Sequence, residues 1–215
     1  MRILCGTRFS KTNNMKITIV DYGMGNIYSL QSALKFLGYD SICSNNSEDI
    51  INADKIILPG VGSFKMAMDN IIKLKIEKSI KIAVNENKTP ILGICLGMQL
   101  LGISSTEDGF SNGLNLFEGE VNKFIDQSVK IPHVGFNNVD FPDNSTLYKG
   151  IKKNSDFYFV HSYRMKTNKI NGVGHSSNGE NFVASFEQGN IFGTQFHPEK
   201  SQTNGLLLLK NFITF

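Results

Sequence analysis

The chain has 215 residues, 40% of them hydrophobic, with a formal net charge of +3, enough to bury one full core in one domain or at most two small ones. Its basic residues are scattered without a run, so a nucleic-acid surface is not expected, and no apolar stretch approaches the roughly 20 residues that span a bilayer. Cys5, Cys43 and Cys95 lie far apart, which excludes a disulfide framework and a zinc site and suits a reducing cytoplasm.

Met1–Ser10 is too short and too polar for an export signal, and the first clean strand pattern opens at Met15. Residues 1–14 are therefore expected outside the fold, with residues 15–215 forming the domain. Lys16–Asp21 reads as a β-branched strand that ends in the turn Gly23-Met24-Gly25-Asn26. Ile27, Leu30, Leu34 and Leu37 then recur at helical spacing, with Gly38 placed to end the helix. A strand is expected at Ser41–Cys43, a helix start at Ser47-Glu48-Asp49, and a buried strand at Lys55–Leu58 running into Pro59-Gly60-Val61-Gly62. One long helix is expected over about Lys65–Asn87, followed after Pro90 by the strand Ile91–Ile94. Strand and helix alternate through this half, which implies right-handed crossovers and a parallel sheet. The second half is strand-rich: Phe117–Phe124, Val134–Phe141, Asp156–Met165, Phe182–Glu187 and Ile191–Phe196. Gln188-Gly189-Asn190 suits a hairpin turn, and a helix at Thr203–Phe212 closes the chain. The pattern implies a single α/β domain, mainly a parallel sheet with antiparallel additions in the second half.

Gly93-Ile94-Cys95-Leu96-Gly97 follows a buried strand and opens an apolar helix. A central nucleophile flanked by glycines suits a strained strand-to-helix elbow, which exposes the side chain at the sheet's carboxyl edge. A helix N-terminus behind it favours thiolate. A small buried cysteine in a tight turn is the plain alternative for this motif alone. Cysteine chemistry also needs a base and a group to orient it. His197 and Glu199, two apart in a segment read as extended, would point the same way and supply both. The backbone of Gly60, Val61 and Gly62 can offer N–H groups to an oxyanion, although an ordinary turn accounts for those residues as well. Gly23-Met24-Gly25 is not a dinucleotide fingerprint, because Tyr28 stands where the third glycine belongs.

In order along the chain, DYGMGN (21–26), LPGVGSF (58–64), GICLGMQLL (93–101), GEV (119–121), IPHVGFN (131–137), FYFVHSY (157–163) and QFHPEKS (195–201) resemble the triad-type, or class I, glutamine amidotransferases. Within these, the segments are most similar to the glutaminase subunits of imidazole glycerol phosphate synthase. The resemblance implies a flavodoxin-like sheet, a Cys95–His197–Glu199 triad, and an oxyanion hole supplied or gated by Gly60, Val61 and Gly62. It implies that Gln99, Glu107, His161, Ser162 and Tyr163 hold L-glutamine. Asn26, His133, Phe136, Asn137 and Lys200 would face a partner. That partner would be a (β/α)8 cyclase subunit in a heterodimer, which receives ammonia and makes imidazole glycerol phosphate in histidine biosynthesis. No metal and no organic cofactor is implied, and the setting is cytoplasmic. Phe136 departs from the family's usual tryptophan and Val134 from a common methionine, and this chain has no Trp. Paralogues with the same triad supply ammonia for amidation of bacterial surface sugars, so the triad leaves both uses open. A catalytically idle scaffold would have no use for an intact triad. A stand-alone papain-like hydrolase does not match the order of the segments.

Overall fold

The computed structural model describes residues 15–126 and 128–215; the expectation about residues 1–14 lies outside them. The first strand, β1 (Ile17–Val20), is buried throughout, as its continuous β-branched run requires of a strand covered on both faces. α1 (Ile27–Phe36) ends where the sequence places its stop. Gly38 adopts φ +87°, and Gly38 N and Tyr39 N donate to Lys35 O and Leu34 O, both at 3.0 Å. This pair of bonds satisfies the last carbonyls of the helix.

β2 (Ser41–Ser44), α2 (Ser47–Ile51), β3 (Lys55–Leu58) and α3 (Phe64–Lys73) follow. The long helix expected over Lys65–Asn87 is broken. α3 stops at Lys73, and α4 (Glu77–Lys81) resumes and passes into a π-helical turn at Ile82–Glu86. At the break Lys75 takes φ +58°, and Lys75 N and Ile76 N donate to Ile72 O and Ile71 O at 2.9 and 3.2 Å. Ile71 and Ile76 are both fully buried. Their contact stabilises the same terminating motif that Gly38 closes, here without a glycine to ease it.

β4 (Ile91–Ile94) and α5 (Leu96–Leu100) carry the elbow. Beyond it come β5 (Ser104–Ser105), β6 (Ser111–Asn112), β7 (Glu120–Lys123), β8 (His133–Asn138), β9 (Asp156–His161) and β10 (Tyr163–Lys166). β11 (Val173–Asn178), β12 (Glu180–Gln188), β13 (Ile191–Thr194) and α6 (Gln202–Ile213) complete the chain. The run Asp156–Met165 is two strands rather than one. β9 pairs with β8 up to His161, and from Tyr163 onward β10 pairs with β7 in a different sheet. β11 was not expected. After Val173 its residues are glycine and polar side chains, and pairing with β12 at the sheet edge makes it a strand.

The main sheet has the order β11-β12-β13-β4-β3-β1-β2. β2, β1, β3, β4 and β13 run parallel in a flavodoxin-like order, and β12 and β11 add antiparallel. Successive residues face opposite sides, so Ile56, Leu58 and Ile91 pack with α2, α3, α4 and α5. Ile57 and Leu92 pack on the other side with α1, α6 and the aromatic side chains of β9. The carboxyl ends of β3, β4 and β13 therefore meet at one edge, and each leads directly into a segment singled out in the sequence.

Candidate active site

Cys95 leaves β4 with φ +53° and ψ −110°, a left-handed backbone that a non-glycine residue adopts only under restraint. Its flanking glycines supply that restraint. A Cβ on Gly93 would stand 2.7 Å from Gly97 O and from Met98 N and Cα, and one on Gly97 would stand 1.8 Å from Leu58 O. The chain can fold back over β3 and β4 only without those side chains. Pro59-Gly60 lies close against α5, and a Cβ on Gly60 would meet Tyr22 Oη at 2.4 Å and Gly97 N at 2.8 Å. Tyr22 braces this segment from below, donating its hydroxyl to Pro59 O at 2.6 Å. That gives the DYGMGN turn a structural role in place of nucleotide binding. Gly62 has φ +101°.

His197 is buried, and its Nδ1 lies 2.8 Å from Glu199 Oε1. The geometry differs from the expected extended segment. Pro198–Lys200 forms a 3-10 turn, closed by Lys200 N donating to His197 O at 3.0 Å, and the turn swings Glu199 back onto the imidazole. A Cβ on Gly205 would stand 1.9 Å from Pro198 O, so α6 can pack close beneath the turn. Glu199 accepts from Nδ1–H, which leaves Nε2 as the basic nitrogen; Nε2 is buried without a protein hydrogen-bond partner. Burial alone would lower the His197 pKa, but the charges of Cys95 and Glu199, together with the Glu199 hydrogen bond, outweigh it and hold the imidazole above its ordinary range.

A cavity of about 280 Å³ opens beside these groups. Val61, Gly62, Gln99, Glu107, His161, Ser162 and Tyr163, all expected around the substrate or the oxyanion, line it with Cys95 and His197. Glu107 Oε2 accepts from Phe64 N at 2.8 Å at the start of α3. Burial pushes its carboxyl above the ordinary range despite that bond. His161 lines the cavity, but both its ring nitrogens are engaged: Nδ1 with Tyr163 O at 2.8 Å and Nε2 with His133 Nδ1 at 3.1 Å. Burial, and then the charges of His133, His197 and Arg164, lower its pKa to about 3, so the ring is neutral at working pH. A larger cleft of about 470 Å³ between β7, β10 and β12 contains none of the triad.

Of the residues expected at a partner surface, Lys200 is exposed, Phe136 is 49% exposed, and Asn26 and Asn137 are half-buried. The Phe136 ring meets Tyr158 edge-on at 5.5 Å, and Lys200 Nζ lies 5.8 Å over the Tyr158 ring, so β8, β9 and the 3-10 turn share one patch beside Cys95 and His197. His133 is not on this surface. It is buried against Phe159 and His161, because the first residue of β8 faces inward while Val134 and Phe136 are exposed. The residue-by-residue reading also passed over Val160, whose carbonyl faces Cys95 Sγ at 3.8 Å, and Gln195, whose Nε2 lies 3.7 Å from that sulfur. Both stand inside segments singled out in the sequence, Gln195 in QFHPEKS and Val160 in FYFVHSY, but Val160 acts through its backbone carbonyl, which its residue type does not signal.

A family model for class-I glutamine amidotransferases matches residues 18–214. The chain belongs to this family. It is 47% identical over 205 residues to imidazole glycerol phosphate synthase subunit HisH 1 of Parasynechococcus marenigrum, covering 93% of this chain and 98% of that protein. HisH 1 of Campylobacter jejuni is 46% identical, with 92% of this chain and 98% of that protein covered. HisH of Methanocaldococcus jannaschii matches at the same identity and the same coverage. Among solved structures, PurLQS from Thermotoga maritima superposes with a TM-score of 0.69 at 19% identity, covering 93% of this chain and 98% of that one. A glutamine amidotransferase from the same organism gives 0.61 at 14% identity, covering 93% and 81%. These two establish the fold alone. Among the described residues, no helix is long and apolar enough to cross a membrane.

Proposed function

We propose that this chain is the glutaminase subunit of an imidazole glycerol phosphate synthase, hydrolysing L-glutamine to glutamate and ammonia in the cytoplasm. The observation that carries the reading is the positive-φ Cys95 beside a buried His197–Glu199 pair, at a cavity into which Gln99, Glu107 and Tyr163 also open. Near-full-length similarity to HisH proteins supports the choice of pathway.

In the reaction, His197 Nε2 takes the Cys95 Sγ proton and the sulfur attacks the side-chain amide carbon of glutamine. The oxyanion that forms is met by backbone N–H groups of the 60–62 segment and of the first turn of α5, which have no acceptor within the helix. His197 returns the proton to the amide nitrogen, the C–N bond breaks, and ammonia leaves a cysteinyl thioester. Water then gives a proton to His197 and adds to the thioester carbonyl. Collapse breaks the C–S bond, the proton returns to sulfur, and glutamate departs. Glu199 holds the imidazole tautomer and balances the imidazolium. Both N–H groups of Gln99 are engaged, by Tyr163 O and Gln195 Oε1, so Gln99 offers glutamine only its oxygen. With the Glu107 carboxylate it forms an acceptor pair for the α-ammonium.

The ammonia passes to a (β/α)8 cyclase subunit docked over the patch of Phe136, Tyr158, Lys200 and Asn26, in a heterodimer; Asn137 shares the inner face of β8 with His133, bonded to Ser177 O at 2.8 Å. The test is reconstitution with a histidine-pathway cyclase subunit. Glutamine-dependent formation of imidazole glycerol phosphate supports the reading. A mixture that works with ammonium salts but never with glutamine overturns the pathway, and the sugar-amidating partner would then be tried.

A further inference from the structure

The geometry points to Gln195 as a further catalytic residue, whose side-chain amide donates a hydrogen bond to Cys95 Sγ and stabilises the sulfur whenever it carries negative charge. The inference deepens the proposed function, since it rests on Cys95 being the nucleophile.

The orientation of the amide follows from one acceptor that cannot be reversed. Tyr163 O is a backbone carbonyl and can only accept. Gln99 approaches it at 3.0 Å, so it must present its nitrogen there. The same nitrogen lies 2.9 Å from the Gln195 side-chain amide, so its second N–H meets the oxygen of that group. The Gln195 oxygen is thereby held toward Gln99, and its nitrogen is turned toward Cys95, 3.7 Å from the sulfur.

Tyr163 O is pinned in its turn. It also accepts from His161 Nδ1, while His161 Nε2 bonds His133 Nδ1, and His133 Nε2 lies 3.5 Å from Asn137 Nδ2 on β8. A connected set of hydrogen bonds thus joins β8 to Tyr163 O, and Tyr163 O through Gln99 and Gln195 to the Cys95 sulfur.

Gln195 is completely buried and does not line the cavity beside Cys95, so the sulfur, and not glutamine, is what it can serve. The other contact made by the thiol, Val160 O at 3.8 Å, accepts the S–H proton. Once that proton has moved to His197, the carbonyl opposes the anionic sulfur, whereas the Gln195 N–H favours it. Hydrogen bonds to charged acceptors are about twice as strong as neutral ones. The donor therefore assists twice: when sulfur loses its proton before attack, and when sulfur leaves carbon as the thioester is hydrolysed.

The test measures alkylation of Cys95 by iodoacetamide in the full chain from about pH 6 to about pH 9, located by mass spectrometry. Cys43, which is exposed, is the internal reference. Gln195→Met keeps the bulk and removes the donor. It is expected to slow Cys95 alkylation about 10-fold at neutral pH, with the gap closing at high pH and Cys43 unchanged. The turnover number for glutamine should fall by a similar factor with little change in KM. Should the Met variant fail to melt cooperatively, Gln195→Ala is read in its place. Wild-type alkylation of Cys95 across the whole range in a cooperatively melting variant overturns the proposal. The alkylation comparison needs no glutamine, so it decides the role of Gln195 even if the wild type has no glutaminase activity.

Discussion

Gly97→Ala tests the elbow most directly. The new Cβ would sit 1.8 Å from Leu58 O, 2.7 Å from Leu58 C and 3.2 Å from Pro59 C. All of these atoms are backbone, so no side chain can rotate away. To restore ordinary contact, α5 and the Leu58–Pro59 segment must part by roughly 1.5 Å. Overpacking of this kind typically costs about 1–3 kcal/mol, and each kcal/mol lowers the melting temperature of a chain this size by about 2–4 °C. The larger effect is on catalysis, because the same movement draws the 60–62 segment away from Cys95. Losing one oxyanion donor costs about 10²–10³ in turnover. The expected outcome is a folded variant that melts several degrees lower, turns glutamine over at least 100-fold more slowly, and still has Cys95 present for alkylation. Glutaminase rates and thermal melts of the reconstituted complex check it. Wild-type turnover combined with a wild-type melt would show that the packing of the elbow does not position the oxyanion segment.

If His197 is the base and Glu199 orients it, as proposed above, loss of His197 should be the more damaging. His197→Asn should lower turnover by about 10⁶ and Glu199→Gln by about 10⁴, measured as glutamate release, with ammonia-dependent synthesis by the partner retained in both. His161 gives a pH signature. Its folded pKa lies below the unfolded value of about 6.5, so the unfolded chain binds the extra proton. Stability is then full above about pH 6.5 and falls as pH drops toward 3, by about 1.4 kcal/mol per pH unit for one proton. Melting curves at neutral and mildly acidic pH should show a shallower acid limb in His161→Asn than in wild type, and identical limbs would refute the buried neutral ring. Lys75→Gly removes a side chain from a left-handed position in the turn after α3. It should raise stability by about 1 kcal/mol with glutaminase activity unchanged, as a denaturant titration would register.

The alternating order of the first half, the elbow glycines around Cys95 and the pairing of His197 with Glu199 were legible in the residues alone. Each rests on a local requirement: continuous β-branched runs for covered parallel strands, small residues where backbones touch, and a base with its carboxylate in one short segment. Tertiary contacts decided the rest. An uninterrupted helical pattern over Lys65–Asn87 breaks at Lys75 because burying Ile76 against Ile71 outweighs the conformational cost at a lysine. Asp156–Met165 reads as one strand, but its two ends bond to partners in different sheets. Glu199 reaches His197 through a 3-10 turn that only close packing of α6 at Gly205 allows. His133 carries a motif position expected at an interface, yet the parity of β8 turns it inward to His161. The role of Gln195 depends on a carbonyl 32 residues away along the chain at Tyr163. No local pattern encodes that link, because the direction of each amide is set by what the folded chain brings against it.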